Sequence, residues 1–213
     1  MREIEAKFII RRPEQVAEAL RVLSANGFSV RDCGTKIHVD RYFDTEDWSI
    51  LTAAWACRVR RRNGAAKLTL KSLHGPDGSV FVREEISQPI PDEDAELSFA
   101  LPLGHVRDKL AGIVGNMPVA ELFRVTSERT VYEIARTGPQ PVQIELDLDR
   151  SRIEAEKRTE KAAGVLDFTE LELELVSGDT AGLDTLSTLL RDEAGLMPAK
   201  YSKFERGLQA AGL

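Results

Sequence analysis

Cysteine is scarce in this sequence, and the positions of the two that occur exclude several kinds of site. Cys33 and Cys57 are the only cysteines among 213 residues. They lie far apart, without the close pairing of redox motifs or of structural zinc sites. We therefore expect two buried or chemically idle thiols in a protein of a reducing compartment.

Histidine is also sparse, and no motif surrounds it. His38, His74 and His105 are scattered, and none has zinc-ligand spacing with a cysteine. We interpret them as ordinary surface or loop residues. The sequence also lacks a glycine-rich phosphate loop and a nucleophile-elbow motif, so phosphate binding at a helix N-terminus and serine-nucleophile catalysis have no support.

Long apolar runs and an excess of positive charge are absent too. No segment is apolar over the roughly 20 residues that a membrane-spanning helix needs. A charged strand pattern begins at once at the N-terminus and leaves no room for a signal peptide, so we expect a cytoplasmic protein. The net charge of −6 argues against a nucleic-acid binder that works by bulk electrostatics. The sequence fits either a monomer or a homodimer.

Acidic residues that alternate with apolar ones are the most informative feature that the sequence does contain. Residues 3–7, 145–149 and 170–174 each carry a charge at every second position. In a strand such positions share a face, and like charges at that spacing repel by about 2 kcal/mol at an effective dielectric near 20. The pattern predicts a polar interior in which cations lie among the carboxylates. A solvated outer face is the alternative.

Basic residues repeat with the same period on two predicted neighbouring strands. Arg58, Arg60 and Arg62 share one face, and Lys67 and Lys71 share a face of the next strand. Guanidinium groups bind phosphate oxygens in pairs and lysine adds a point charge, so this patch indicates a polyanion with several phosphates. Salt bridges to the acidic strands, with no further role, are the alternative.

The remaining pattern predicts an α+β fold made mainly of strands. Strands are expected at 2–10, 36–44, 55–62, 66–73, 79–87, 123–135, 141–149 and 168–176, with a weaker candidate at 152–158; helices are expected at 13–26 and 180–194, with a helical insertion at 92–116. No linker or repeat divides the chain, which favours a single domain over residues 1–213. Inward charges on sequential antiparallel strands favour a closed eight-stranded barrel with flanking helices, wide enough for one small ligand.

A series of short segments resembles, in the same order, the segments of the CYTH domain family, also called triphosphate tunnel metalloenzymes. The first is the Glu-x-Glu-x-Lys pattern of residues 3–7, which alone is a weak motif. The others are residues 42–45, 57–61, 68–71, 83–85, 144–149, 170–174 and 202–207, together with Arg129. They span nearly the whole chain, while residues 92–120 match nothing. The resemblance implies an eight-stranded antiparallel tunnel that binds a triphosphate and needs Mg²⁺ or Mn²⁺.

Position by position, the resemblance also implies roles for individual side chains. The implied metal ligands are Glu3, Glu5, Asp149, Glu170 and Glu172. The implied phosphate-binding residues are Lys7, Arg58, Arg60, Lys71, Arg83, Arg129 and Lys203, with Lys200 as an alternative to the last. The implied catalytic residues are Glu5, Lys7, Asp149 and Glu170.

The activity that the resemblance implies is metal-dependent hydrolysis of a small-molecule triphosphate, with inorganic triphosphate as the first choice. Two related activities stay open: class IV adenylyl cyclase, which converts ATP to cyclic AMP and pyrophosphate, and thiamine triphosphatase. A non-catalytic binder of polyphosphate or nucleotide is an alternative of another class. Such a binder has little need for so many inward carboxylates.

Overall fold

Eight antiparallel strands close into a barrel in this protein. The structure is a computed structural model that describes residues 2–62, 64–73, 80–91, 104–138, 141–157 and 159–213. The strands are β1 (Arg2–Ile10), β2 (Ser29–Thr45), β3 (Trp55–Arg62), β4 (Ala65–Ser72), β5 (Val80–Ile90), β6 (Val119–Arg136), β7 (Val142–Ala155) and β8 (Val165–Ser177). Their order is β5-β4-β3-β2-β6-β7-β8-β1, and β1 closes the ring by pairing with β5. The predicted α+β barrel is confirmed.

Five helices and a short extra strand complete the described part of the chain. The helices are α1 (Glu14–Ala25), α2 (Ser49–Thr52), α3 (His105–Val114), α4 (Thr180–Asp192) and α5 (Lys203–Ala211). The extra strand β9 (Met197–Pro198) pairs with the end of β1. Within the described ranges, no helix is both long and apolar enough to cross a membrane.

Five strands (β2, β5, β6, β7 and β8) are longer than the alternation of the sequence predicts. β2 begins at Ser29, because residues 29–32 pair with β6 although three of these four residues are exposed and show no apolar face. The weak candidate at 152–158 is no separate strand, since β7 continues through it to Ala155. Pairing with a long neighbour therefore extends strands beyond their alternating segments.

The helices also differ in part from the prediction. α3 lies inside the predicted insertion, and residues 92–103 of that insertion lie outside the described residues. α2 and α5 have no counterpart among the predicted helices. For α5 the sequence does carry a signal, because Ser202 and Glu205 have the Ser-x-x-Glu spacing of a capping box.

The apolar faces of the acidic strands point outward and pack beneath helices. Leu146, Leu171 and Leu173 are fully buried in a cluster that includes Leu23 of α1 and Leu186 of α4. Burial of each such side chain contributes about 1.5–3 kcal/mol. This apolar layer fixes the outward face of β7 and β8, and because side chains alternate along a strand, the carboxylates must point into the barrel.

α5 packs against the interior faces of β6 and β7 at one end of the barrel. The Phe204 ring lies against Tyr42 and Phe123, with centroids 5.6 and 6.0 Å away. A capping box fixes the first turn: the Glu205 backbone N–H donates to Ser202 Oγ, and the Ser202 backbone N–H donates to Glu205 Oε2. The first residues of α5 are therefore held at a defined place inside the barrel.

Gly207 allows α5 to approach β6 closely, because a Cβ at this position would overlap the buried Phe123 ring. We expect Gly207→Ala to lower the free energy of unfolding by about 1–3 kcal/mol through overpacking, as measured by urea titration. Gly112→Ala in α3 is the matched control, since a Cβ there meets nothing within 4 Å and alanine favours a helix. Equal effects of the two substitutions would contradict the close approach.

Asp44, at the end of β2, organises the turn into α2. Its carboxylate accepts hydrogen bonds from the backbone N–H groups of Thr45, Ile50 and Leu51 at 2.7, 2.9 and 2.9 Å. Asp44 is buried and does not line the barrel cavity. Its part in the segment 42–45 is therefore to shape the fold.

Candidate active site

Charged side chains from alternating strand positions meet in the barrel around a cavity of about 160 Å³. The cationic lining residues are Lys7, Arg58, Arg60, Lys67, Lys71, Arg83, Arg129 and Lys203, and the carboxylates are Glu3, Glu5, Glu85, Asp147, Glu172 and Glu174. In the strand order, β3 and β4 stand opposite β8 and β7. The cations of β3 and β4, here called the basic wall (Arg58, Arg60, Lys67 and Lys71), therefore face the acidic strands across the cavity.

Three buried carboxylates form what we call the inner cluster: Asp149, Glu170 and Glu172. One oxygen of each lies within 4.8 Å of the others, a spacing that suits a single metal ion. In the strand register, Asp149 is the direct partner of Glu170 on the neighbouring strand. Lys203 Nζ lies among them, 2.8 Å from Asp149 Oδ2 and 2.9 Å from Glu172 Oε1, and also contacts Glu170 Oε1.

Arg129 crosses from β6 to the inner cluster. Its Nε and Nη2 donate to Asp149 at 2.7 and 2.5 Å, Nη2 also donates to Glu172 at 2.7 Å, and Nη1 contacts Asp147. Burial opposes the ionisation of Asp149, but Lys203 and the hydrogen bond from Arg129 outweigh it and hold the pKa below its usual value. Burial raises the pKa of Asp147 to about 7, although Arg129 partly offsets it.

A second group of carboxylates, here called the outer cluster, consists of Glu3, Glu5 and Glu174. Glu5 and Glu174 are direct partners across β1 and β8, and Glu3 shares the face of Glu5. Burial disfavours the charged form of Glu5, but Lys7 and Lys71 lower its pKa to about 2. Burial, together with the charges of Glu3 and Glu5, raises the pKa of Glu174 to about 7. Repulsion between neighbouring carboxylates therefore adds to the effect of burial at Glu174.

Cations of β1, β4 and β5 surround Glu5. Lys7 Nζ lies 3.1 Å from Glu5 Oε2, Arg83 Nη2 donates to Oε1 at 2.5 Å, and Lys71 Nζ lies 3.6 Å from Oε1. Lys7 also contacts Glu172, so its ammonium group connects the outer cluster to the inner one. Burial alone would lower the pKa of Lys7, but Glu172 and Glu5 raise it above its usual value and keep the side chain charged.

The basic wall is only partly neutralised. Arg60 Nε and Nη2 donate to the two oxygens of Asp40, both at 2.7 Å, while Arg58 Nη1 lies 3.6 Å from the same carboxylate. Asp40 is 1 % exposed, yet Arg60 and Arg58 overcome its burial and hold its pKa low. Arg58 Nε is buried without a hydrogen-bond partner. Such a donor is suited to an anionic oxygen in the cavity.

The structure brings every predicted site residue to the barrel interior. These residues are Glu3, Glu5, Lys7, Arg58, Arg60, Lys71, Arg83, Arg129, Asp149, Glu170, Glu172 and Lys203. Lys203 is buried at the inner cluster, whereas Lys200 is exposed with its ammonium over the Tyr201 ring, so the lysine at the cavity is Lys203. Arg62, predicted on the basic face, is exposed.

Sequence reasoning missed Asp40 as a site residue. It placed Asp147 and Glu174 on the charged faces of the acidic strands, because they continue the alternation there, but assigned neither of them a role. Asp40 could be recognised only from its pairing with Arg60 across β2 and β3. Asp147 shares its face with Asp149 but, unlike that residue, has one oxygen, Oδ1, buried without a hydrogen-bond partner.

The interpretation of His38 as a surface or loop residue is wrong. His38 lies within β2, is 4 % exposed and has no hydrogen-bond partner on either ring nitrogen. Burial, followed by the charges of Arg60 and Arg129, lowers its pKa to about 4, so the ring is neutral. Of the other two histidines, His105 is exposed, as predicted, and His74 lies outside the described residues.

The expectation of buried or idle thiols is confirmed for Cys57, which is buried, and stays a prediction for Cys33. Cys33 is exposed and Cys57 is buried, and neither forms a disulfide. Burial raises the pKa of the Cys57 thiol, which keeps it protonated and unreactive.

The donor set of both clusters fits a hard divalent cation. Every side chain in them offers carboxylate oxygen, the ligand type that Mg²⁺ and Mn²⁺ prefer. Glu170 Oε2 is buried without a hydrogen-bond partner, which leaves a lone pair for a further ligand. Burial and the charges of Glu3 and Glu5 raise the pKa of Glu174, and a cation bound beside it would favour its charged form.

Comparison with known proteins agrees with this geometry. The sequence model of the CYTH domain matches residues 1–208. A structure from Hippeastrum, described as a candidate adenylyl cyclase with a dominant triphosphatase activity, has a TM-score of 0.62 at 18 % identity, over 99 % of this chain and 96 % of its own. A candidate adenylate cyclase from Bacillus halodurans has a TM-score of 0.60 at 22 % identity, over 96 % of each chain.

A protein from Pyrococcus horikoshii has a TM-score of 0.57 at 19 % identity, over 97 % of this chain and 98 % of its own. At these identities the solved structures support the fold alone. The sequence match covers nearly the whole chain, and with it this protein belongs to the CYTH domain family.

Proposed function

We propose that this protein hydrolyses inorganic triphosphate to pyrophosphate and orthophosphate in a reaction that depends on Mg²⁺ or Mn²⁺. The observation that carries the proposal is one cavity with the basic wall on one side and two carboxylate clusters on the other. A phosphate chain and a divalent ion are complementary to these two sides. Membership of a family of triphosphate tunnel enzymes supports the same conclusion.

In this proposal the cations of the cavity bind the phosphate chain. They are Lys7, Arg58, Arg60, Lys71, Arg83 and Arg129. Guanidinium groups match pairs of phosphate oxygens, and the unpartnered Arg58 Nε is one donor ready for such a contact. Fixed positive charge at these positions stabilises the charge that develops on the phosphoryl oxygens during transfer.

The outer cluster is the proposed site of the divalent ion. Glu3 and Glu5 were implied as ligands by the family resemblance, and the register adds Glu174 as the third. A bound ion would neutralise phosphate oxygens next to it. Asp149, Glu170 and Glu172, the other implied ligands, form the inner cluster, where we propose that Glu170 orients the attacking water.

Two properties of Glu170 suit this role. Its Oε2 atom is buried and unpartnered, so it has room to accept a hydrogen bond from a water molecule. Burial, with the neighbouring charge of Glu172, raises its pKa despite the opposing effect of Lys203, and a carboxylate of raised pKa is a better proton acceptor at neutral pH.

The aromatic side chains at the cavity support an inorganic substrate over a nucleoside triphosphate. Tyr42 and Phe204 line the cavity, but both rings already pack against Phe123, and Tyr42 stacks on it at 4.8 Å. Both are almost fully buried. Within the described residues, neither ring presents an open face for a nucleobase.

The test is a product assay with inorganic triphosphate, ATP and thiamine triphosphate, each with Mg²⁺ or Mn²⁺ and resolved by phosphorus NMR. We expect orthophosphate and pyrophosphate from inorganic triphosphate at the highest rate. Cyclic AMP from ATP would assign the protein as a cyclase instead, and faster release from thiamine triphosphate would change the substrate. Tight binding in calorimetry without turnover under any condition would indicate a binding module.

Cytoplasmic location, a single domain and a monomeric or homodimeric state stay predictions.

A further inference from the structure

Lys203 occupies the position at which the inner cluster would hold a metal ion. Its ammonium group contacts all three carboxylates of the cluster and is itself 6 % exposed. Lys7 and Arg129 contact the same cluster, so three carboxylates meet three cationic side chains. The inner cluster thus already contains cationic side chains of the protein, although Lys7 is shared with Glu5 and Arg129 with Asp147.

The fold of the backbone determines where Lys203 lies, and a freely chosen side-chain rotamer does not. It is the first residue of α5, directly after the capping residue Ser202. The next residue, Phe204, is buried against Tyr42 and Phe123, and Gly207 seats the following turn on the same ring of Phe123. Displacing the ammonium therefore requires either an altered side-chain rotamer inside a packed site or movement of α5.

The outer cluster differs in the placement of its cations and in access. Glu3 and Glu174 are only partly buried, whereas the inner carboxylates are 0–7 % exposed. Within the described residues, no lysine or arginine nitrogen lies within ion-pair distance of Glu174. The lysine that contacts Glu3, Lys71, is only partly buried, so its side chain has room to move away from an ion bound at the outer cluster.

We propose that Lys203 is a built-in counter-cation that excludes a divalent ion from the inner cluster, so that the protein takes up its divalent ion at the outer cluster. The proposal rests on the proposed function in assigning a divalent ion to this tunnel. A buried ammonium and a divalent ion cannot both lie among three carboxylates at these distances, since their charges repel at a few ångströms. The geometry of the inner cluster alone, three oxygens within 4.8 Å, would suggest the opposite assignment.

The experiment counts Mn²⁺ ions bound to the whole protein in the absence of any phosphate, with free Mn²⁺ measured by electron paramagnetic resonance. We expect the wild-type protein to bind one ion tightly. Lys203→Met should bind a second ion. Its affinity for that ion should exceed the affinity of any second site of the wild-type protein by about a hundredfold, because a single charge next to a buried site changes ion binding by about this factor. Lys203→Arg, which retains the charge, and Lys200→Met, which removes an exposed lysine, should both bind one.

A pair of glutamine variants tests the same assignment even if Lys203→Met does not fold. Glu174→Gln should weaken the binding of the one wild-type ion by at least about tenfold, because it removes a ligand of the outer cluster. Glu170→Gln should leave that affinity within about twofold, since only the inner cluster is changed. Stronger weakening by Glu170→Gln, two equal ions in the wild-type protein, or a single ion in folded Lys203→Met would overturn the proposal. Because no substrate is present, these results do not depend on which triphosphate, if any, is hydrolysed.

Discussion

Glu5→Gln is expected to lower metal-dependent phosphate release by about 100- to 1000-fold, the usual effect of losing one group that stabilises transition-state charge. Glu5 is the most enclosed carboxylate of the outer cluster, and Lys7, Lys71 and Arg83 all contact it. Glutamine keeps the shape of the side chain but removes the charge that a divalent ion needs. The measurement is orthophosphate release from inorganic triphosphate as a function of Mg²⁺ concentration.

The barrel should remain folded in this variant, because the neighbouring cations keep other partners. Lys7 still contacts Glu172, and Lys71 still contacts Glu3. Glu128→Gln is the matched control, since Glu128 has a half-exposed side chain on the outside of β6 and should retain full activity. A Glu5→Gln protein that is active without added metal would refute the assignment of the outer cluster.

Arg129→Leu is expected to lower the free energy of unfolding at about pH 8 by about 3–5 kcal/mol, because removal of one partner leaves buried charges uncompensated. Arg129 donates to Asp149 and Glu172 and contacts Asp147, and its side chain is 9 % exposed. The measurement is urea unfolding with a metal chelator present, so that no divalent ion replaces the lost cation.

The free energy of unfolding that Arg129→Leu loses should become smaller as the pH falls toward about 5. This direction follows from the linkage between stability and the binding of protons. In the wild-type protein the cations hold the pKa values of Asp149 and Glu172 low. These two carboxylates therefore stabilise the fold fully at a pH above their pKa values in the unfolded chain, and this stabilisation is lost as the pH falls through their lowered folded-state pKa values. Without Arg129 these pKa values rise in the folded state. A carboxyl group whose pKa is raised in the folded state destabilises the folded protein most at high pH, where it is ionised, and least once the pH is low enough to protonate it.

The surface pair of Arg150 and Glu128 supplies the control, because both side chains are about half exposed at 55 and 51 %. Arg150→Leu should cost less than about 1 kcal/mol at either pH, the usual range for exposed ion pairs. A loss for Arg129→Leu that is as small as this, or that does not change with pH, would contradict the account of the inner cluster.

Local alternation was enough to separate the charged face of the acidic strands from their apolar face, while a solvated outer face stayed the alternative to an inward one. The period of two is maintained through residues 145–149 and 170–174, and the leucines between the acids pack in the outer core. The same period placed Arg58 and Arg60 on one face of a predicted strand. The family resemblance then ordered these strands around one tunnel.

Register and burial could not be predicted in the same way. Glu5 faces Glu174 only because β1 and β8 pair, and Lys7 and Glu172 meet across 165 positions of sequence. His38 was judged by the absence of a metal motif, which carries no information about whether a strand position faces inward. The position of α5 inside the barrel depends on packing against Phe123, a contact that no local pattern encodes.

The closure of the ring by β1 sets the order in which the barrel can be assembled. β1 hydrogen-bonds to β5 on one side and to β8 on the other, so this strand, which precedes both in the chain, gains its second neighbour only after β8 (Val165–Ser177) has been made. Contacts of such long range are slow to form, and until then an edge is open to pairing with other chains. Glu3, Glu5 and Lys7 make that edge charged, which discourages aggregation during synthesis as well as lining the finished cavity.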